Sequence, residues 1–505
     1  MQHNKHGELK LFRLFGHFKL LLVVVLSTAI NITAEDSFSK FKRSQASSFT
    51  AYKDERDSHF NNYLKEHFKA YKVYKGEPLY EKPKPKKITS AIPTKIKAVG
   101  PKLTISIPEK ILPKKELPKS VKKIRILKTK EAEIKVIEKV QKSQDFYIDF
   151  FGSRLGFDIP QNIKNATFYP RSQKGISNFF NSAASSEYES LVENIKKSSK
   201  DLNLNDWGVY LLVNSISKNI FSDADNSKLM SWFIFNKLGY AVKIGLANKH
   251  VVVMYYSKKI IYSTPSYNFS NKKYYVVSNY DKGNVGRLFS HKHDYPNATK
   301  DMDLSLESLP TFNPSMEFKT LSFKQYGIEY SVKYKYNKNL IDFMMTYPQA
   351  DYETYFNTPL EDSTYNDLAV GLKKYIDGKK ASDAMNFVLS FVQKSFEYKT
   401  DDEQFSREKP MFAQETLYFD NSDCEDRAVL FAYLVKKLFS VPVVGVKYKD
   451  HMSTALYIPM DGDKIIAKSR EFVIADPTYI NSNIGMNMPK YRSIKPEKYI
   501  VVKNK

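Results

Sequence analysis

The stretch Tyr418-Phe419-Asp420-Asn421-Ser422-Asp423-Cys424-Glu425-Asp426-Arg427 contains the only cysteine of the chain, and its reading decides the fold. Ala428 to Phe439 comes next, with apolar Phe431, Leu434, Val435 and Leu438 at helical spacing, and Ser422 or Asp423 is placed to cap that helix. Cys424 therefore falls in the first helical turn, where free backbone N–H groups and the helix dipole favour a thiolate. Glu425 and Asp426 act in the opposite sense, so a thiolate here requires a cationic partner.

Candidates for that partner lie downstream. Val441 to Val446 has the composition of a buried strand, and His451 opens another in His451-Met452-Ser453-Thr454-Ala455-Leu456-Tyr457-Ile458. A third strand, Glu471 to Ala475, delivers Asp476 in Asp476-Pro477-Thr478-Tyr479. A cysteine at a helix start, a histidine on one strand and an aspartate on the next form a workable nucleophile: the imidazole takes the thiol proton and the carboxylate orients the imidazole. Taken one at a time, these residues have plainer uses, since a lone cysteine packs as a small hydrophobe and Asp-Pro-Thr makes an ordinary turn.

In this order the three elements resemble the bacterial transglutaminase-like superfamily, over roughly residues 381–479. The resemblance implies an α+β fold with a papain-like, transglutaminase-like core, in which a Cys-bearing helix packs on an antiparallel sheet carrying His and Asp. It implies a Cys424–His451–Asp476 catalytic triad, with the backbone N–H of Cys424 and the side chain of Gln414 holding the oxyanion. It also implies an acyl-transfer enzyme, a peptidase or amidase working through a thioester, with hydrolysis favoured over crosslinking. Neither a metal nor another cofactor is expected, because the remaining histidines are scattered and no phosphate-cradling or EF-hand loop is present.

The chain upstream carries the charge. With 505 residues there is room for two or three domains, and the formal net charge of +24 is concentrated rather than spread. Lys5, Lys10, Arg13 and Lys19 precede the apolar run Leu20 to Leu26, and small residues lead to Ala34. That is the layout of a secretory signal peptide over 1–34, so the expected location is the periplasm or cell envelope, with an inner-membrane signal anchor as the alternative. A polar segment occupies 35–75, with a short helix around Asp54 to Tyr71. Residues 76–142 are rich in Lys and Pro, as in Glu81-Lys82-Pro83-Lys84-Pro85-Lys86-Lys87, and read as a disordered basic linker. Its charge suits an anionic envelope surface; no nucleic-acid partner is expected behind a signal peptide. A short helix is expected at Lys130 to Lys142.

Residues 145–299 repeat the C-terminal pattern when shifted by two hundred positions. Asp223-Ala224-Asp225 lies on Asp423-Cys424-Glu425, Gly245 on Gly445, His250 one place from His451, and, after a shorter insert, Thr264-Pro265-Ser266-Tyr267 on Asp476-Pro477-Thr478-Tyr479. The expectation is a duplicated core whose first copy, with Ala224, His250 and Thr264 at the triad positions, is catalytically dead. Between the copies, 316–380 is a β-rich and helical connection. It includes a hairpin turning near Gly327 and an aromatic group (Tyr347, Tyr352, Tyr355, Phe356) suited to packing between domains. The catalytic domain occupies 381–505, and its substrate is a protein or peptide. The competing expectation is a non-catalytic envelope scaffold or binding protein that uses both copies.

Overall fold

The computed structural model describes residues 39–80, 82–106, 144–279 and 286–503. The expected signal peptide and the helix at 130–142 lie outside the described residues. The fold is mixed α+β with two large antiparallel sheets besides three two-stranded ones, and among the described residues no helix is long and apolar enough to cross a membrane.

The first sheet has seven strands in the order Phe68–Tyr71, Leu288–His291, Val242–Ala247, His250–Tyr256, Lys272–Tyr275, Ser266–Phe269, Val73–Tyr74. Its two edge strands are separated by Lys72 alone, so the sheet must curl until its edges nearly meet, as in a small barrel. Met254, Tyr267, Phe269, Tyr274 and Leu288 form one buried cluster of this sheet. The second sheet has five strands in the order Lys464–Ala467, Arg470–Ala475, Met452–Leu456, Val443–Lys447, Lys498–Val501.

The two sheets share a wiring. Number the five strands from Val242 to His291 one to five along the chain; their order across the sheet is five, one, two, four, three. Strands of the second sheet, numbered likewise from Val443, run five, one, two, four, three. The register agrees as well: Val242 faces Tyr255 and Val443 faces Leu456, each 201 positions on. A helix precedes the first strand in both cases, Ala224–Lys237 and Cys424–Phe439, with a helical neighbour in Asp206–Ile220 and Ala381–Lys394.

This wiring corrects one correspondence drawn from the sequence. Thr264 precedes strand three of its sheet, whereas Asp476 comes after strand four of the other, so the two do not occupy equivalent places. The shared Pro-x-Tyr is a local turn composition, and aligning on it shifts the comparison by one hairpin.

The reading of 76–142 as a disordered linker is corrected over 76–80 and 82–106, and its remainder, 107–142, lies outside the described residues. Residues 77–80 and 82–106 are extended, as their prolines dictate, but they are packed on the protein rather than free. Leu79, Tyr80, Lys84, Ala91 and Ile105 are buried. Ser263 N donates to Glu77 O (2.8 Å), Ala91 N to Ile480 O (2.8 Å) and Leu103 N to Lys379 O (2.9 Å), so this strap crosses both halves. The preceding helix is longer than expected, covering 39–66, and buries Phe60 and Leu64.

The connection carries the expected hairpin, Met316–Gln325 with Ile328–Asn337. Tyr326 and Gly327 both adopt positive φ (50° and 83°), the turn that matches strand twist in a two-residue loop. The aromatic group is core: Tyr347, Tyr352, Tyr355 and Phe356 are all buried. Tyr347 accepts a hydrogen bond from Asn205 Nδ2 (2.6 Å) and meets the Phe412 ring at 5.0 Å, tying the first half to the second.

Candidate active site

Cys424 is the first residue of the 16-residue helix Cys424–Phe439, as its apolar spacing predicts, with Asp423 in extended conformation at the cap. Two buried anchors fix this helix start. Asp426 accepts from Met411 N (2.8 Å) and from Asp423 N (3.1 Å). Arg427 donates from Nε to Ser422 Oγ (3.0 Å), and from its two terminal nitrogens to Gln393 O (3.0 Å) and Phe396 O (2.8 Å). A guanidinium can satisfy three such acceptors at once because its donors form a rigid fork. Desolvation pulls Arg427 down to about 10, still well above neutrality.

His451 is the last residue of the four-residue loop joining Val443–Lys447 to Met452–Leu456, and Tyr448 N donates to its carbonyl (2.8 Å). Its ring is buried, stacked on Tyr491 at 4.8 Å between centroids and 18° between planes. Asp476 comes directly after strand Arg470–Ala475, which pairs with the His451 strand through Thr454 and Ala475. The two side chains meet: His451 Nε2 lies 2.9 Å from Asp476 Oδ2. Asp476 Oδ1 accepts from Thr478 N (2.9 Å) and Tyr479 N (3.2 Å), so the turn after the strand holds the carboxylate. A carboxylate only accepts, which places the proton on Nε2 and leaves Nδ1 as the basic nitrogen.

Gln393 stabilises the same turn and was not legible in the sequence. Its Nε2 donates to Tyr479 O (2.8 Å) and lies 3.1 Å from both Asp476 O and Ser482 Oγ. No local motif marks such a residue; only its position on the helix next to the cysteine helix does.

Two expectations about the site are corrected. Gln414 is buried with its amide committed elsewhere: Nε2 donates to Thr364 Oγ1 (2.9 Å) and Oε1 accepts from Glu361 N (3.1 Å). It fastens the start of helix Asp362–Ile376 instead of serving an oxyanion. The thiol, moreover, is turned to Glu425 and not to the imidazole. Cys424 Sγ donates to Glu425 Oε2 (3.2 Å) rather than to His451. Burial pushes the thiol well above its ordinary value, the charges of Glu425 and Asp423 push the same way, and only Lys84 opposes them.

Lys84 is the cation beside the thiol, and it comes from the Lys/Pro-rich strap. Its Nζ donates to Glu425 Oε1 (2.5 Å) and Asp401 Oδ2 (2.9 Å), and lies 2.6 Å from Asp423 Oδ2 and 2.9 Å from Glu408 Oε1. An ammonium has three protons, so four carboxylates exceed its capacity, and the surplus negative charge is buried. Burial accordingly pushes the carboxyls of Asp401, Glu408 and Asp423 up to about 7, with Lys84 pulling each back down. Two sets, Asp401 with Glu408 and Glu425 and Asp401 with Asp423 and Asp426, sit close enough to hold a metal ion, a cluster not apparent in the sequence because its members are dispersed between 401 and 426. Lys84 Nζ stands among them.

No family model, curated protein or solved structure matches this chain. Its chemistry is therefore read from the geometry of the site alone.

Proposed function

We propose that this chain is an exported cysteine-dependent acyl-transfer enzyme of transglutaminase-like, papain-like type, acting as a peptidase or amidase on an envelope protein or peptide. The observation that carries the proposal is the buried His451–Asp476 pair at 2.9 Å, with His451 leading into the strand Met452–Leu456 that packs against the helix beginning with the only cysteine. In this mechanism His451 Nδ1 takes the Cys424 proton, and the thiolate attacks the amide carbonyl. The backbone N–H of Cys424 faces the developing oxyanion. The imidazolium then gives its proton to the leaving amine as the C–N bond breaks, forming a thioester. Water, deprotonated by His451, cleaves the thioester and returns the thiol.

The shared strand order and the register offset of 201 support a duplication, with residues 224–291 as a copy without a nucleophile. There Ala224 stands at the helix start, and His250 is drawn to Asp225 (3.1 Å) on the helix rather than to a strand carboxylate.

One observation favours the non-catalytic scaffold as the second reading: the resting thiol is hydrogen-bonded to Glu425 and not to His451. Alkylation of Cys424 by iodoacetamide against pH, in wild type and His451→Ala, separates the two. A buried thiol reacts through transient exposure, which lowers the rate in both proteins. For a nucleophile, His451→Ala slows labelling at every pH below the thiol's own titration. The same profile in both proteins makes the site a scaffold.

A further inference from the structure

Between Lys82 and Lys87 only Lys84 is buried. Lys82, Pro83, Lys86 and Lys87 are exposed while Lys84 is buried, its ammonium 3% exposed or less in company with Asp401 and Asp423. The four carboxylates around it all come from the wall beside the nucleophile: two flank Cys424 in sequence, and Asp401 and Glu408 belong to the segment just before. The ammonium comes from 341 residues away, on a backbone without regular secondary structure. Near the cage the strap is held by few polar contacts, chiefly Tyr398 Oη to Pro85 O (2.7 Å) and Tyr80 Oη to Glu425 Oε2 (3.3 Å). Pro83 and Pro85 keep the backbone around Lys84 extended. An extended peptide with one side chain buried in a charged socket and its neighbours in solvent has the form of a bound ligand.

We infer that the carboxylate cage of Asp401, Glu408, Asp423 and Glu425 is a recognition pocket for the lysine side chain of a peptide substrate, and that Lys84 occupies it as an internal stand-in that keeps Cys424 closed. The chemistry after binding rests on the acyl-transfer reading; the pocket itself does not. The stand-in accounts for the closed thiol: Cys424 is fully buried and hydrogen-bonded to Glu425, the carboxylate that Lys84 itself engages. Removal of Lys84 from the cage leaves four buried carboxylates with no counter-charge, which draws in another ammonium of the same size.

The test compares two thiol reagents of the same chemistry on the full chain, 2-aminoethyl methanethiosulfonate with an ammonium and methyl methanethiosulfonate without one. Lys84→Ala should speed modification of Cys424 by both, and by the cationic reagent about tenfold more, the equivalent of about 1.4 kcal/mol of selective attraction. Lys84→Ala/Asp401→Asn should reduce that preference. Equal acceleration by both reagents means simple loosening and overturns the pocket, as does no acceleration. Should Lys84→Ala not fold, Glu408→Gln at the solvent edge of the cage replaces it. The strap should then loosen and cationic labelling rise about threefold over neutral, and an unchanged ratio overturns the inference. Adding His451→Ala distinguishes this failure from that of the enzyme reading. Charge preference without His451 dependence removes the acyl-transfer reading and keeps the pocket. His451 dependence without charge preference removes the pocket and keeps the reading.

Discussion

The two sheets of this protein offer a comparison in which wiring is held constant and chemistry is not. Both helices begin one residue after an aspartate, Asp223 or Asp423, and both first hairpins keep the same register. Yet His451 is buried and bound to a carboxylate on the neighbouring strand, whereas the His250 side chain is 67% exposed and meets Asp225 from the helix. In the first half Arg171, itself 47% exposed, covers the acidic helix start; in the second that place is taken by a buried lysine. Strand order and a helix N-terminus therefore do not make a site. Burial of the histidine, and a carboxylate arriving from the strand side, set the second half apart from the first.

The comparison can be broken most sharply at the cations. Lys84→Met should destabilise the fold by about 3 kcal/mol at pH 8, because it strands buried carboxylates. Arg171→Met in the other half should cost less than about 1 kcal/mol, since solvent screens that pair. The pH dependence has a definite sign. Asp401, Glu408 and Asp423 have folded pKa values raised to about 7, above the ordinary ~4. The stability linked to them is thus fully present below about pH 4 and is lost as pH rises through 7. Lys84 resists that loss, so the Lys84→Met deficit should be small at pH 5 and largest at pH 8. Urea denaturation at the two pH values measures it, and a deficit independent of pH would sink the account.

A smaller effect is expected at the paired glycines. A Cβ on Gly445 would lie 2.7 Å from Phe356 Cζ, and one on Gly245 2.8 Å from Leu288 Cδ1 and 2.9 Å from Phe289 O. Gly445→Ala and Gly245→Ala should each cost about 1–3 kcal/mol by overpacking. Gly245→Ala should cost more, because one of its obstacles is backbone. Thermal melts of the two variants would test that ranking, and the reverse order would contradict it.

The smallest effect sharpens the comparison from the chemical side. Ala224→Cys places a thiol at the equivalent helix start in the half without a buried His–Asp pair. Measured by iodoacetamide labelling in a Cys424→Ser background, it should show an ordinary thiol profile, rising near pH ~8.5. His250→Ala should change its rate by less than about twofold. A His250-dependent thiolate there would mean that the first half is a functional site after all.

Much of the frame was legible because it is local. Apolar spacing from Phe431 to Leu438 places Cys424 at a helix start, and the apolar runs around 443, 452 and 471 appear as strands within a residue or two. The signals extend over a dozen residues and depend on backbone period alone. Strands Lys464–Ala467 and Lys498–Val501 were not apparent, since their exposed, charged positions carry little alternation. Gln414 illustrates the opposite error: a side chain near the nucleophile in sequence whose amide is committed to Thr364 and Glu361.

The sequence by itself determined that this chain is an α+β protein, that its one cysteine opens a helix, and that a histidine and an aspartate lie beyond it on strands of one antiparallel unit. Only the tertiary structure decided that His451 and Asp476 meet, that Thr264 is not their counterpart, and that the lysine of a seemingly solvated Lys/Pro stretch is buried beside the thiol. The physical reason is that burying an ammonium is unfavourable unless carboxylates enclose it. Those carboxylates lie more than three hundred residues further along the chain, so no pattern around Lys84 could announce them.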